Sequence, residues 1–146
     1  VNAVNAPYLA KEKGIKVLES SSDDAQEFIN LLTVTVKTDK ESYVAAGTLF
    51  GKSDPRIIRI NDFRLEMRPE GNLAIIHNMD IPGEIGAIGT ILGDHKINIA
   101  RMTVGQEEPE GERNIVFLRT DTPLTKEVIE KLETYPRTRR VIYMEL

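Results

Sequence analysis

The order of strand-like and helix-like segments after Pro69 is the feature that most limits how this chain can fold. Apolar periodicity predicts six segments, with strands at residues 72–78, 96–106, 113–120 and 141–146 and helices at residues 84–93 and 125–134. The order β-α-β-β-α-β is typical of a ferredoxin-like antiparallel sheet that carries both helices on one face.

The residues before Pro69 follow a different pattern. Good helix formers from Tyr8 to Lys13 stop at Gly14, which predicts a short helix with glycine just past its end. Strands are then predicted, from β-branched and aromatic residues with stretches of period two, at residues 16–20, 27–38, 42–50, 56–60 and 63–68. We therefore expect an α+β protein: a small mixed helix and antiparallel-sheet domain over residues 1–68, then a ferredoxin-like domain over residues 69–146.

Composition argues against several classes of protein. There is no cysteine, which excludes disulfides, thiolate catalysis and cysteine-ligated metals and fits a reducing cytoplasm. No apolar run approaches the ~20 residues that span a bilayer, and the first residues lack the features of a signal peptide. The formal net charge of −4 argues against nucleic acid as the main partner. We expect a cytoplasmic protein with no membrane partner.

The helix predicted over residues 84–93 carries two stripes with helical spacing. The apolar stripe contains Ile85, Ile88 and Leu92, and the glycine stripe contains Gly86, Gly89 and Gly93. The apolar stripe is expected to face the sheet. Each interior glycine costs roughly 0.5–1 kcal/mol relative to alanine, so the glycine stripe needs an offsetting role. Two interpretations stay open: tight packing of the helix on its own sheet, or close approach of a partner backbone or a small ligand.

Polar groups flank this helix in an arrangement that suits a free amino acid. Pro82 and Gly83 predict a rigid turn, and the helix amino terminus after it offers unpaired N–H groups to a carboxylate. Asp80 could meet an ammonium group, and the amide of Asn98 can both donate and accept. We expect these groups to gather at one end of the sheet. For Asp80 the alternative is a helix-capping role.

We assign no catalytic residue, no metal ligand and no cofactor site to this chain. No two glycines are separated by a single residue, so the dinucleotide fingerprint G-x-G-x-x-G is absent. The only histidines, His77 and His95, have no evident acid–base partner in the sequence.

The segment from Asn72 to Gly105 resembles the ACT domain that closes the long form of D-3-phosphoglycerate dehydrogenase. The stretches V-N-A-P-Y-L-A-K-E-K-G-I and A-G-T-L-F-G resemble the later part of the intervening domain that precedes it. The resemblance covers essentially the whole chain, whereas the catalytic and NAD-binding domains are absent from this sequence. It implies the regulatory tail of an NAD-dependent oxidoreductase of serine biosynthesis, subject to feedback inhibition by L-serine.

The resemblance also implies an effector site and an assembly. In that family serine lies between two ACT domains, and the matching positions are Asn78, Asp80, Pro82, Gly83, Ile85 and Asn98. Some relatives have a second, anion-binding site, for which the candidates are Arg56, Arg64 and Arg68, unless strand alternation puts them on different faces. We expect a homodimer through the ACT domains, within a parent tetramer. The strand at residues 96–106 is the expected exposed edge at which the second copy pairs.

Three rival classes remain. An RNA-binding module shares the element order, but the two strands that would stack bases offer only Phe117 as an aromatic residue. A free-standing enzyme would need an acid–base constellation that the sequence does not display. A regulatory subunit of an L-serine dehydratase, or another ACT-containing amino-acid enzyme, resembles the same family in its paired domains.

Overall fold

The computed structural model of the protein describes residues 1–2, 4–22, 28–109 and 111–146. These residues form three helices: α1 (Ala6–Glu12), α2 (Glu84–Asp94) and α3 (Lys126–Glu133). They also form eight strands: β1 (Leu32–Lys37), β2 (Ser42–Phe50), β3 (Asp54–Ile60), β4 (Phe63–Met67), β5 (Asn72–Met79), β6 (Ile99–Glu107), β7 (Arg113–Thr120) and β8 (Thr138–Glu145). The strands make one antiparallel sheet in the order β1-β2-β3-β4-β6-β7-β5-β8. The predicted α+β class is confirmed.

The second half of the chain has the predicted ferredoxin-like order, with β6-β7-β5-β8 as neighbours and α2 and α3 on one face. Alternate residues of β5 and β7 are apolar on that face, which gives the helices a surface to cover. The core between helices and sheet contains Ala74, Ile76, Ile88, Leu92, Val116, Leu118, Val128, Leu132 and Val141. Helix α3 begins as expected after Thr125, whose hydroxyl accepts a hydrogen bond from the backbone N–H of Val128.

The opposite face of the same strands is covered by the amino-terminal half of the chain. Phe63 and Met67 of β4 pack against apolar side chains of β5 and β7, and Phe117 is only 3 % exposed in this second core. An RNA-binding module presents this face to bases. Here the one aromatic residue that such a module could have used is buried.

Strand β6 is not the free edge that the sequence predicts. Strand β6 lies between β7 and β4, although β4 pairs only with the last two residues of β6. Phe63 pairs with Glu107, and Arg64 pairs with Gln106. Gly105 makes this junction possible. A Cβ at this position would lie 2.8 Å from the Arg64 carbonyl oxygen and 2.7 Å from a methyl group of Ile115. The outer edges of the described sheet are β1 and β8.

The first residues confirm one expectation and correct another. Helix α1 ends at Glu12 and Gly14 follows with a φ of +70°, the left-handed conformation that glycine adopts readily. The strand predicted over residues 16–20 is wrong, because residues 15–22 have no regular structure. A run of five alternating residues does not persist as a strand without a neighbouring strand to pair with. The next predicted strand starts at residue 27, outside the described residues, and the observed strand begins at Leu32.

Candidate functional site

The turn between β5 and α2 leaves the amino terminus of the helix uncapped by side chains. Gly83 is the residue before the helix, and its φ of +96° requires glycine. Among the described residues, no side chain caps the N–H groups of the first turn. The N–H of Glu84 donates to the carbonyl of Ile81 at 3.5 Å. The next N–H groups of the first turn and the positive end of the helix dipole remain available to an anion.

Beneath this turn lies a cluster of buried polar side chains, which we call the α2 polar cluster: Asn78, Glu84 and Asn114. Asn78 and Asn114 face each other across β5 and β7, and each side chain is at most 2 % exposed. Four of the cluster's polar atoms have no hydrogen-bond partner among the described residues: Asn78 Nδ2 and Oδ1, Glu84 Oε2 and Asn114 Oδ1. A buried polar atom without a partner costs about 1–3 kcal/mol, so the cluster is poorly satisfied in the single chain.

Two residues join the α2 polar cluster to the surface. Asn114 Nδ2 donates to Asp80 Oδ1 at 3.0 Å, and Arg137 Nη1 lies 3.2 Å from Glu84 Oε1. Asp80 thus contacts the next strand instead of capping α2, so the capping interpretation is wrong. The Arg137 guanidinium compensates the carboxylate of Glu84, which is almost fully buried.

The two stripes of α2 have separate environments. Ile88 and Leu92 are buried against the sheet as predicted, but Ile85 is 37 % exposed beside the uncapped turn. A Cβ added at Gly86, Gly89 or Gly93 would meet no atom of the described residues within 4 Å, apart from the neighbouring backbone of the helix itself. The glycine stripe therefore faces open space, and tight packing of the helix within the chain does not explain it.

Asn98 does not join Asp80 at one end of the sheet within a single chain, which corrects that expectation. Its Nδ2 donates to Asp121 Oδ2 at 2.5 Å, next to the pairing of Ile99 with Thr120. Asp80 lies at the opposite end, where its N–H bonds to the carbonyl of Glu112. An eight-residue strand separates the two ends, a distance of roughly 25 Å.

The three candidate arginines of the anion site are each held by carboxylates of this chain. Arg56 pairs with Asp54 and Glu66, and Arg68 pairs with the same Asp54, so these two lie together. Their hydrogen bonds lower the pKa of Asp54 to about 2. Arg64 pairs with Glu108 and is separate from them.

Three residues of this site are not predicted from the sequence: Glu84, Asn114 and Arg137. The alternation of residues along the strands could have identified Asn114, and Asn78 with it, as buried. Asn114 shares a face with Val116 and Leu118, and Asn78 shares that face with Ala74 and Ile76. An asparagine in a row of core positions indicates a buried polar role. Nothing in the sequence points to the pairing of Glu84 with Arg137, which lie far apart along the chain.

The fold and the turn at α2 define an ACT-type domain attached to a small mixed α/β segment. Residues 73–137 match the ACT domain family, and residues 1–61 match the family described as the D-3-phosphoglycerate dehydrogenase intervening domain. The chain belongs to the intervening and ACT region of the D-3-phosphoglycerate dehydrogenase family, as the resemblance predicts.

Several similar proteins are named D-3-phosphoglycerate dehydrogenase. The chain is 38 % identical to D-3-phosphoglycerate dehydrogenase of Methanocaldococcus jannaschii, over 100 % of this chain and 27 % of that protein. It is 38 % identical to the Bacillus subtilis enzyme over 93 % of this chain and 26 % of that protein, and 34 % identical to the Archaeoglobus fulgidus enzyme over 100 % and 28 %. The chain thus spans about a quarter of the length of these relatives. In the described ranges, no helix has the length and apolarity to cross a membrane.

Proposed function

We propose that this chain is the amino-acid-sensing regulatory region of a D-3-phosphoglycerate dehydrogenase, with L-serine as the effector. The uncapped amino terminus of α2 beside the Asp80 carboxylate carries the proposal. The N–H groups after Gly83 suit the carboxylate of an amino acid, and Asp80 suits its ammonium group. The buried and unpartnered amide of Asn78, two residues before Asp80, supports a polar occupant near this turn.

The site is completed by a second copy of the chain. Because Asn98 lies at the far end of the sheet from Asp80, one chain alone cannot bring both to one ligand. Two copies related by a two-fold axis would place Asn98 of one beside the Asp80 turn of the other. The glycine stripe of α2 supports this arrangement, since its open surface leaves room for a partner backbone.

The wider function follows from the relatives' name. We propose a parent enzyme that is an NAD-dependent oxidoreductase of serine biosynthesis, cytoplasmic and tetrameric, with its catalytic residues and NAD outside this sequence. Serine bound between paired ACT domains would inhibit it by feedback. The division into an intervening segment over residues 1–68 and an ACT domain over residues 69–146 is part of this proposal, as is the absence of a nucleic-acid partner.

Calorimetric titration of the 146-residue chain with L-serine, glycine, L-alanine and L-threonine tests the effector. We expect saturable binding of L-serine and weaker binding of the others, since the serine hydroxyl adds a hydrogen bond that alanine lacks. Saturating serine should also raise the melting temperature, because a ligand at 100 times its Kd adds about 2.7 kcal/mol to the folded state. No heat and no shift at millimolar serine would contradict the proposal.

A further inference from the structure

A basic cavity lies where the amino-terminal half of the sheet meets the ACT half. It has a volume of about 380 Å³, and its lining residues are Tyr43, Phe63, His77, Asn78, Arg113, Asn114, Arg139 and Arg140. We call it the arginine cavity. Its size is within the ~300–1,000 Å³ that small-molecule sites occupy.

A β-bulge in β8 brings two of the arginines to the same side. His77 pairs with Arg140 and the next residue, Asn78, pairs with Thr138, so Arg139 is the extra residue of the bulge. In a regular strand Arg139 and Arg140 would point to opposite faces. The bulge redirects Arg139, whose Nη2 lies 3.4 Å from the sulfur of Met79, on the His77 side of β5.

The cavity has more positive charge than its neighbours neutralise. Arg113 forms an ion pair with Glu107. Within the part of the chain that the structure describes, Arg139 and Arg140 form no ion pair. Arg140 Nη1 instead donates to the hydroxyl of Tyr43 at 2.9 Å, and that hydroxyl donates onward to Glu41. An excess of positive charge remains on a chain whose formal net charge is −4.

The floor of the cavity is aromatic and uncharged. The rings of Phe63 and His77 meet edge to face with centroids 5.8 Å apart. The guanidinium of Arg113 lies 5.8 Å from the Phe63 centroid, and that of Arg140 lies 5.6 Å from the Tyr43 centroid. Stacking on aromatic rings restrains the directions in which a guanidinium can donate. Burial, helped by Arg140 and Arg113, lowers the pKa of His77, so its ring is neutral at physiological pH.

We propose that the arginine cavity binds a small tetrahedral oxyanion, phosphate or the phosphoryl group of a small phosphate ester. A single guanidinium saturates the two oxygens of a carboxylate, whereas this cavity has Arg139 and Arg140 on β8 and, on β7, the N–H groups of Arg113 that Glu107 does not occupy. An anion with at least three equivalent oxygens can accept hydrogen bonds from all three arginines at once. The hydroxyl of Tyr43 supplies a further donor when Glu41 releases it.

Such a ligand would connect the two halves of the chain. Tyr43 belongs to β2, whereas His77, Arg113 and the two arginines of the bulge belong to strands of the ACT half. An anion held by both sides stabilises their mutual arrangement by linkage.

Calorimetric titration of the 146-residue chain with inorganic phosphate, sulfate and malonate tests the proposal. We expect saturable binding of phosphate and sulfate with one anion per chain, and weaker binding of malonate. Arg139→Gln and Arg140→Gln should each lower phosphate affinity roughly ten- to a hundredfold, the loss typical of a charge-assisted hydrogen bond. Thermal unfolding of each variant, followed by circular dichroism, establishes that it is folded.

Arg101→Gln is the matched control. Arg101 lies on β6 outside the arginine cavity and, among the described residues, forms no ion pair. The Arg101→Gln variant should therefore bind phosphate with the same affinity as the unchanged chain. Absence of saturable phosphate binding, an equal loss in Arg101→Gln, or malonate binding as tight as phosphate would each overturn the proposal.

Discussion

The side-chain amide of Asn114 donates a 3.0 Å hydrogen bond to the carboxylate of Asp80, so the buried polar cluster under α2 is tied to the turn that faces solvent. Asp80 therefore has two roles that can be tested separately. It satisfies a buried donor, and it presents a negative charge beside the helix amino terminus.

Substitution of Asp80 separates the two roles. Asp80→Ala leaves the Asn114 amide without its partner and should lower the free energy of unfolding by about 1–2 kcal/mol while the fold is retained. It should also weaken L-serine binding roughly ten- to a hundredfold, because the charge that meets the ammonium group is gone. Asp80→Asn keeps an acceptor for Asn114 but not the charge. Asp80→Asn should therefore restore most of the stability, measured by urea unfolding, but none of the serine affinity, measured by calorimetry. If both variants bind serine as tightly as the unchanged chain does, the role of Asp80 is only structural.

The Arg137–Glu84 pair should contribute to stability far more than a surface pair. Arg137→Met leaves the buried carboxylate of Glu84 uncompensated, and we expect a loss of about 2–4 kcal/mol in urea unfolding. We expect Glu84→Gln to cost less, because a neutral amide is easier to bury. The double variant should then be more stable than the sum of the two losses predicts. Strict additivity would show that the 3.2 Å contact does not couple the two residues.

Two glycines should respond in opposite ways to alanine. Gly105→Ala places a methyl group 2.8 Å from the Arg64 carbonyl and should destabilise the chain by about 1–3 kcal/mol. Gly89→Ala adds a methyl group in open space within α2 and should stabilise the single chain by about 0.5–1 kcal/mol. Thermal unfolding at low protein concentration measures both. A destabilising Gly89→Ala would mean that the helix face is already packed within one chain.

The lowered pKa of His77 makes stability depend on pH in a defined direction. Above the unfolded pKa of about 6.5 the ring is neutral in both states and has no effect. As the pH falls below that value, the unfolded chain takes up the proton first, because burial and the charges of Arg140 and Arg113 disfavour the imidazolium in the fold. Stability should therefore decrease as the pH falls from about 6.5 toward the lowered pKa, and the effect should level off below it. His77→Gln should flatten this part of the profile in urea unfolding from pH 8 to pH 5, and an unchanged slope would contradict the assignment.

The sequence predicted the ACT half well because periodicity and local caps determine those elements. The apolar positions Ile88 and Leu92 of α2 and the Thr125 cap of α3 can all be identified without a structure. The continuous sheet could not be predicted, because the pairing of β4 with β6 is long-range and depends on space that only Gly105 leaves. Long-range pairing leaves no periodic trace in the sequence.

In the candidate site, too, local features could be predicted from the sequence and long-range positions could not. The turn at Pro82 and Gly83 was evident, since those residue types determine the local backbone. The positions of Asp80 and Asn98 at opposite ends of the sheet were not evident, because spacing along the chain does not determine which strand end a residue occupies. This separation is the reason that the proposed serine site needs two chains.

Sedimentation velocity over a dilution series, with and without saturating L-serine, tests this two-chain site most directly. We expect serine to shift dimerisation of the unchanged chain to lower protein concentration, because a ligand that bridges the interface stabilises the dimer by linkage. Gly86→Val, whose branched side chain would crowd the open face of α2, should weaken both dimerisation and serine binding. A chain that stays monomeric at high concentration and still binds serine normally would contradict the shared site.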